Sequence, residues 1–510
     1  MLPDDIAPRS ALTASLCALG IAAALSGCTA GPDFKAPTAL PPPRATVVAA
    51  SALPGQAAPT PAWWQGFGDG TLDALEKQVL SGNLDLAEAG TRIGRARAAL
   101  RIAGAAGLPQ AGAGASYQRE RASPKGILSL TGSGSPANED AGGTAAFGST
   151  TLPASNSSEY DLFQAGVDAS WELDLWGKAR RLREGSRALA QAAWFDREAL
   201  QVSLSAEVAR TYLHLRATEA QLAILRDNRA AVEQGQRIAE KRLDRGATTR
   251  FDAATAGTQL AAIDAQLPAL ERAAAQARNA LALLAGLEPH ALDSMLASPA
   301  RTLPEIAAAP PPILPSDLAR RRPDILAAEA SLHAATADIG SAKADFYPSV
   351  SLGGSLGFQA LNLSNLPLWD ARQFVLGPIL RLPIFQGGRL AGQLDLAKAN
   401  QQAAAIHYRA TVLRAWHEID DAIEEVRTSE AQMAAAKTGV DQSRVAAHVA
   451  QRRYQAGATG YLAVLIAQRA RLDREADYVA SRQAHNDALV ALYKAIGGGW
   501  TPPAAPEHGA

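Results

Sequence analysis

Residues 163–286 are repeated without gaps over 374–497. Phe163 returns as Phe374, Gly246 as Gly457 and Gly286 as Gly497, a constant offset of 211 positions (374 − 163 = 211). RATEAQ at 216–221 reads again as RTSEAQ at 427–432, and RGAT from Arg245 reads again as AGAT from Ala456. A duplication of this length means one structural unit built twice. Pseudo-symmetry of that kind suits tubes and rings better than a single active site.

Each copy opens with strand-like alternation. Ala111, Ala113, Ala115 and Tyr117 alternate with Gln110, Gly112, Gly114, Ser116 and Gln118. Phe163, Ala165, Val167, Ala169, Trp171, Leu173 and Leu175 alternate with Gln164, Gly166, Asp168, Ser170, Glu172 and Asp174. In the second copy Val350, Leu352, Leu356 and Phe358 alternate with Ser349, Ser351, Gly353 and Ser355. Period two puts the apolar residues on one face and the polar residues on the other. The expected strands are 108–118, 162–176, 347–358 and 373–385, the last interrupted by Pro378 and Pro383. The first pair is joined by a Gly/Ser/Pro-rich loop, 119–161, and the second by a shorter one, 359–372. Pro109 matches Pro348 at an offset of 239 (348 − 109 = 239), so the first loop is 28 residues longer (239 − 211 = 28).

Each expected strand is long enough to cross a bilayer, for which about 9–11 residues are needed. Lipid cannot satisfy open strand edges, so spanning sheets close. Four strands are too few, because the smallest barrels have about eight. A barrel must therefore be shared by two, three or four chains. The Ser and Gly of the polar faces imply a wide, wet lumen. There Asp168, Glu172 and Asp174 either bias ion selectivity or simply hydrate the strand. Trp171 and Trp176 belong either to an interfacial girdle or to packing at the strand-to-helix junction.

Long helical runs follow the strands. No proline interrupts Lys178 to Arg245. Val412, Trp416, Ile419, Ile423 and Val426 step by four and three, the seam of a coiled coil. Each run breaks at Gly246 or Gly457 and resumes to Gly286 or Gly497, which predicts two helical hairpins. Pro268 has Val479 as its counterpart, so a kink is expected in one copy only. A further helix is expected over 71–106.

Composition supports helices and excludes other classes. The chain has 510 residues, and only 19% of them are charged, with a net charge of −1, which gives a nucleic acid nothing to bind. Cys17 and Cys28 are the only cysteines. The eight histidines show no metal spacing, and no metal, cofactor or catalytic residue is expected. Arg9 followed by an apolar run to Leu25 reads as a signal segment, residues 1–27. Leu25-Ser26-Gly27-Cys28 resembles the lipobox of bacterial lipoproteins, which implies acylated Cys28 as the mature N-terminus. The rival is an ordinary signal peptide with a chance cysteine. No aspartate follows two places after Cys28, which favours the outer over the inner membrane. Residues 36–61 are Pro/Ala-rich and read as a linker.

Five stretches in order carry a resemblance: GPDFKAP (31–37), WWQGFGDGTLDAL (63–75), WELDLWGKAR (171–180), LPSDLARRRPDI (314–325) and FYPSVSLGG (346–354). The chain resembles the TolC-like outer-membrane efflux proteins of Gram-negative bacteria, in the lipoprotein branch similar to OprM and NodT. The resemblance implies an α+β membrane protein. It would be a homotrimer with a twelve-stranded outer-membrane β-barrel, four strands per chain. The barrel would continue into a long periplasmic α-helical coiled-coil barrel with a mixed equatorial belt. It implies a passive duct exporting small molecules, anchored in outer-membrane lipid. The partners implied are a periplasmic adaptor (membrane fusion) protein and an inner-membrane pump of the RND type.

The implied division of the chain is 1–27 signal peptide, 28–70 N-terminal segment, 71–286 first repeat, 287–316 equatorial linker, 317–497 second repeat and 498–510 tail. The hairpin turns at Arg245, Gly246, Ala247 and Thr248, and at Gly457, Ala458, Thr459 and Gly460, resemble the tips that meet the adaptor; otherwise the glycines are simple helix stops. Family members often narrow the tunnel with aspartates past the tip. Here those positions are Ala463 and Ile466, which leaves Asp252 of the first copy as a substitute or as a solvated helix residue. Arg320, Arg321 and Arg322 before Pro323 and Asp324 match a family motif whose simplest role is capping, with Ser316 or Asp317 as N-cap. Two other readings share some of these features: the duct of a type I protein secretion system, and a structural coiled-coil envelope lipoprotein.

Overall fold

A computed structural model describes residues 29–37, 61–121, 159–246, 248–297, 303–304 and 321–501. Cys28, Ala247, Ser316, Asp317 and Arg320 lie outside the described residues. The elements run α1 (Gly70–Gly82), α2 (Leu84–Ala105), β1 (Gln110–Arg121), β2 (Glu159–Leu173), α3 (Lys178–Asp244), α4 (Arg250–Leu284), α5 (Pro323–Ala344), β3 (Ser349–Ala360), β4 (Arg372–Arg381), α6 (Arg389–Gln455) and α7 (Tyr461–Ala495). A 3-10 turn, Trp63–Phe67, precedes α1.

The duplication is carried into the backbone residue by residue. Adding 211 to the bounds of α3 and α4 gives those of α6 and α7, and adding 239 to those of α2 and β1 gives those of α5 and β3. The terminal glycines repeat as well: Gly246 and Gly457 have φ of 67° and 73°, and Gly286 and Gly497 have 69° and 75°. Left-handed backbone at those places suits glycine and ends each helix.

The four strands form one antiparallel sheet in the order β1-β2-β3-β4. Among the described residues two edges, β1 and β4, therefore have no partner strand. The register aligns like with like. Val167 stands between Ala113 and Leu356, and Trp171 is opposite Leu352, all on one face. Asp168 stands between Gly112 and Ser355, and Glu172 is opposite Ser351, on the other. β4 departs from this division, because Val375 and Ile379 pair with Ser355 and Ser351.

Strand limits differ from expectation for local reasons. β1 and β2 extend outward to Arg121 and Glu159, where Arg119 pairs with Glu159 at 3.3 Å and Tyr160 bonds Glu120. β2 stops at Leu173, because Asp174 turns away to hold the start of α3. β4 accommodates Pro378 within an edge strand and ends before Pro383. The expected helix 71–106 is two helices. Asn83 divides it, accepting from the Leu86 amide at 2.9 Å and donating to the Leu284 carbonyl at 2.8 Å. α4 remains helical through Pro268.

Two compact units divide the chain. The first holds Met1–Asp33, Ala99–Ser186 and Thr336–Ala399, with the sheet; the second holds Phe34–Ala98, Arg187–Ala335 and Asn400–Ala510. The core of the second unit joins Leu72, Leu75 and Val79 of α1 to Leu204, Val208 and Leu215 of α3, Leu281 of α4 and Val490 of α7. Trp63 stacks on Tyr493 there, with centroids 5.0 Å apart. Glu76 is fully buried in this region, and burial holds its carboxyl well above the usual range.

Polar groups in this unit are tied into networks. Tyr212 donates to Asp69 at 2.6 Å, Arg216 donates to Tyr212 at 2.9 Å and to Glu219 at 2.8 Å, and Arg278 donates to Glu219 at 2.7 Å. Burial and the bond to Asp69 push the Tyr212 phenol up to about 12. Arg322 grips Asp324 through two nitrogens, at 3.0 and 2.7 Å. It also donates to the Ala495 carbonyl at 3.0 Å and pairs with Glu418 at 2.7 Å. The motif arginine thus ties the start of α5 to the C-terminal end of α7.

Candidate functional site

The first candidate site is the two-faced sheet. On the apolar face of β2, Phe163 to Trp171 covers eight residues of rise, about 27 Å along the strand. Aromatic side chains mark both limits. Tyr117 packs on Phe163 with centroids 4.9 Å apart and donates to Asp161 at 2.9 Å. At the other limit the Trp171 indole donates to the Gly107 carbonyl at 3.1 Å. Val167, Leu356, Phe374 and Leu376 between them are exposed. An exposed apolar band bounded by aromatic and charged rims is the pattern of a lipid-facing strand surface. Trp176 stands apart from it, stacked on Tyr347 at 4.8 Å and bonded to the Pro348 carbonyl at 2.7 Å, and so packs the junction.

Asp168 and Glu172 are exposed on the opposite, polar face. A side chain at Gly112 would stand 3.2 Å from the Asp168 carboxylate, so glycine leaves that group clear of its neighbour strand. Asp174 is a correction to the sequence reading. It lies past β2, accepts from the Ala179 and Arg180 amides at 3.0 and 2.9 Å, and pairs with Arg180 at 3.3 Å. It caps α3 and is not a strand residue.

The second candidate site is the pair of hairpin turns. Both turn glycines are exposed, as are Arg245, Ala456 and Ala458 beside them, and Phe251, Leu462 and Ile466 are exposed apolar residues just past them. The turns end their helices alike but begin the next ones differently. In the second, Gly457 donates to the Tyr454 carbonyl at 3.0 Å and Ala458 to the Arg453 carbonyl at 2.9 Å, a Schellman closure. Gly460 then starts α7 without a side-chain cap. In the first, Thr249 accepts from the Asp252 amide at 3.3 Å, while the Asp252 carboxylate accepts from Thr248 at 2.6 Å and from Thr249 at 3.2 Å. Asp252 is therefore engaged in a capping arrangement, a role that neither reading of the sequence foresaw. Its counterpart Ala463 is exposed and cannot repeat it.

Behind the tips, sequence reasoning missed Gly235. A β-carbon there would lie 1.9 Å from the hydroxyl of Tyr461, which is 3% exposed. That hydroxyl has no hydrogen-bond partner among the described residues, and burial followed by the neighbouring Tyr454 pushes the phenol up to about 12. Gly235→Ala should destabilise the hairpin by about 1–3 kcal/mol through overpacking. Adding Tyr461→Phe should recover part of that loss, because it removes the closest atom while the ring carbon that bore the hydroxyl stays 2.9 Å from the new β-carbon. Thermal melts followed at the helical signal would read both changes; a double variant no better than Gly235→Ala would refute the steric cause.

Among the described residues no group of His, Cys, Asp or Glu could hold a metal ion. No helix among them is long and apolar enough to cross a membrane.

Comparison with known proteins gives these features a setting. A model of the family described as outer membrane efflux protein matches residues 75–287 and 314–498. The chain is 33% identical over 452 residues to the pyoverdine export outer membrane protein OpmQ of Pseudomonas putida, covering 88% of this chain and 90% of that protein. It is 30% identical over 497 residues to the toluene efflux pump outer membrane protein TtgC of the same species, covering 96% of each. Among solved structures, the outer-membrane channel OprN superposes with a TM-score of 0.81 at 34% identity, over 93% of this chain and all of that one.

Proposed function

The chain belongs to the outer membrane efflux protein family, and from that premise we propose that three copies close one water-filled duct. The chain is the outer-membrane channel of an efflux system. What carries the trimer is the sheet. It has an apolar face, a polar face and two open edges, β1 and β4. In lipid those edges need partners. Three four-stranded sheets joined β4 to β1 satisfy every edge with twelve strands, as even-stranded barrels do. A structural spacer lipoprotein would need the helices but not this sheet.

The helical hairpins of the two repeats form the periplasmic part in this reading. The turns at Arg245, Gly246, Ala247 and Thr248, and at Gly457, Ala458, Thr459 and Gly460, meet a periplasmic adaptor, and an RND-type inner-membrane pump supplies the energy. Cys28 carries the lipid anchor. Cargo is selected upstream of the duct: the relatives named above serve pyoverdine in one case and toluene in another, with similar identity to this chain. Small-molecule export is preferred over type I protein secretion for the same reason.

Purified full-length protein should run as a heat-modifiable trimer and open ion-conducting pores in planar bilayers. A poreless monomer would sink the reading. Asp252 is proposed to narrow the tunnel in addition to capping α4. Asp252→Asn and Asp252→Ala should then raise single-channel conductance equally, because both remove the charge. If only Asp252→Ala raises it, the lost cap is the cause, at the usual cost of about 0.5–2 kcal/mol.

A further inference from the structure

We propose that one acyl chain carried by Cys28 lies in a trough on the apolar face of this chain's own sheet, making the lipid anchor part of the barrel wall. The proposal rests on the barrel and lipidation readings above. Two independent features converge on it.

The first is a strap. Residues 29–33 are held against the strand-to-helix junction that follows β2, by Trp176 and Arg181, and against Gly340 of α5. The Ala30 amide donates to the Trp176 carbonyl at 2.9 Å. Arg181, whose side chain is only 5% exposed, donates to Asp33 at 2.5 Å, to the Ala30 carbonyl at 3.4 Å and to the Thr29 hydroxyl at 3.5 Å. Gly31 has φ of 92°, and a β-carbon there would meet Gly340 Cα at 2.4 Å. A free linker needs no such fit. Thr29 is thereby fixed beside Gly177, just past the end of β2. Cys28 is one peptide further, about 3.8 Å between α-carbons.

The second is the trough itself, a cavity of about 610 Å³ whose walls include Val167, Trp171, Leu352, Leu356 and Leu376. The register explains it. Ala111, Ala169 and Gly354 stand side by side across three strands. The pairs Trp171–Leu352 and Val167–Leu356 flank that row. Small residues between large ones leave a channel crossing the strands, and its Trp171 side is the side nearer the strap in sequence. At roughly 30 Å³ for a group the size of a water molecule, such a volume takes a saturated chain of a dozen carbons or more.

Membrane lipid is as apolar as the trough, so burial alone does not choose the occupant. Attachment does: a chain already held to the protein by one end gives up less freedom on entering than a free lipid does. Filling the trough gains the dispersion contacts that an ill-fitting tail forfeits.

The test uses cells fed a fatty acid bearing a diazirine, which enters both the lipoprotein anchor and the phospholipids. After illumination, the intact full-length protein is purified and its crosslinked peptides are mapped by mass spectrometry. Crosslinks at Trp171 and Leu352 should exceed those in Cys28→Ala by about tenfold. Ala169→Leu, which fills the trough on an exposed apolar face, should lower them by a similar factor while the trimer persists. Equal labelling in acylated wild type and Cys28→Ala would assign the trough to bulk phospholipid and overturn the proposal alone. An intact mass showing no acyl chain on residue 28 would overturn the lipidation reading with it.

Discussion

Arg216→Leu should cost the helical unit about 3–5 kcal/mol, the scale for stripping one partner from a buried ion pair. Arg216 and Glu219 are both nearly inaccessible, with side chains 5% and 3% exposed. Their bonds join α1 through Asp69 and α4 through Arg278. Removing the guanidinium strips the Glu219 carboxylate of a charge-assisted bond in a site water cannot reach. It also leaves the Tyr212 hydroxyl without the cation over its ring, 4.8 Å from the centroid. The duplication supplies the control. The counterpart of Arg216 at the 211 offset is Arg427, whose side chain is 71% exposed and, among the described residues, pairs with Glu424 on its own helix. Arg427→Leu should change stability by less than about 0.5 kcal/mol, as surface substitutions do. Thermal midpoints of the two purified variants, read by loss of helical signal, separate the cases. Similar shifts for both would mean that the network carries no more than a surface pair.

That contrast also marks how far the sequence could be read. Strands and hairpins were legible because their signals are local: alternation from Phe163 to Leu173, coiled-coil spacing from Val412 to Val426, glycine at the turns. The register of 211 and 239 then fixed each copy by the other. What stayed hidden depends on distant partners. Nothing in RATEAQ distinguishes Arg216 from Arg427; only the approach of Asp69 and Arg278 does. Asp174 reads as one more polar strand residue until the chain turns and α3 presents its free amides. Asp252 looks like a bare carboxylate because its bonds to Thr248 and Thr249 need the turn to form first. Gly235 lies inside a long helical pattern, where glycine merely lowers propensity; the hydroxyl it makes room for is more than two hundred residues away.

Leu356→Arg and Ser355→Arg, one residue apart on β3, should have opposite fates. Leu356 lies between Val167 and Phe374 on the apolar face, near the middle of the band. A charge facing lipid at the bilayer midplane costs about 2–4 kcal/mol. In a trimer the penalty is incurred three times in one barrel, enough to stop stable insertion. Heat-resistant trimer in the outer-membrane fraction should be lost and efflux with it. Ser355 lies beside Asp168 on the polar face. An arginine there meets water and a carboxylate in the cross-strand position, where opposite charges contribute about 0.2–1 kcal/mol. Ser355→Arg should therefore insert and assemble, with conductance lowered and cation preference reduced as the lumen gains positive charge. Bilayer recordings and membrane fractionation of the two variants test the facing of the whole sheet. If Leu356→Arg assembled and altered selectivity while Ser355→Arg failed to insert, the lumen would lie on the apolar side and the closed-barrel reading would fall.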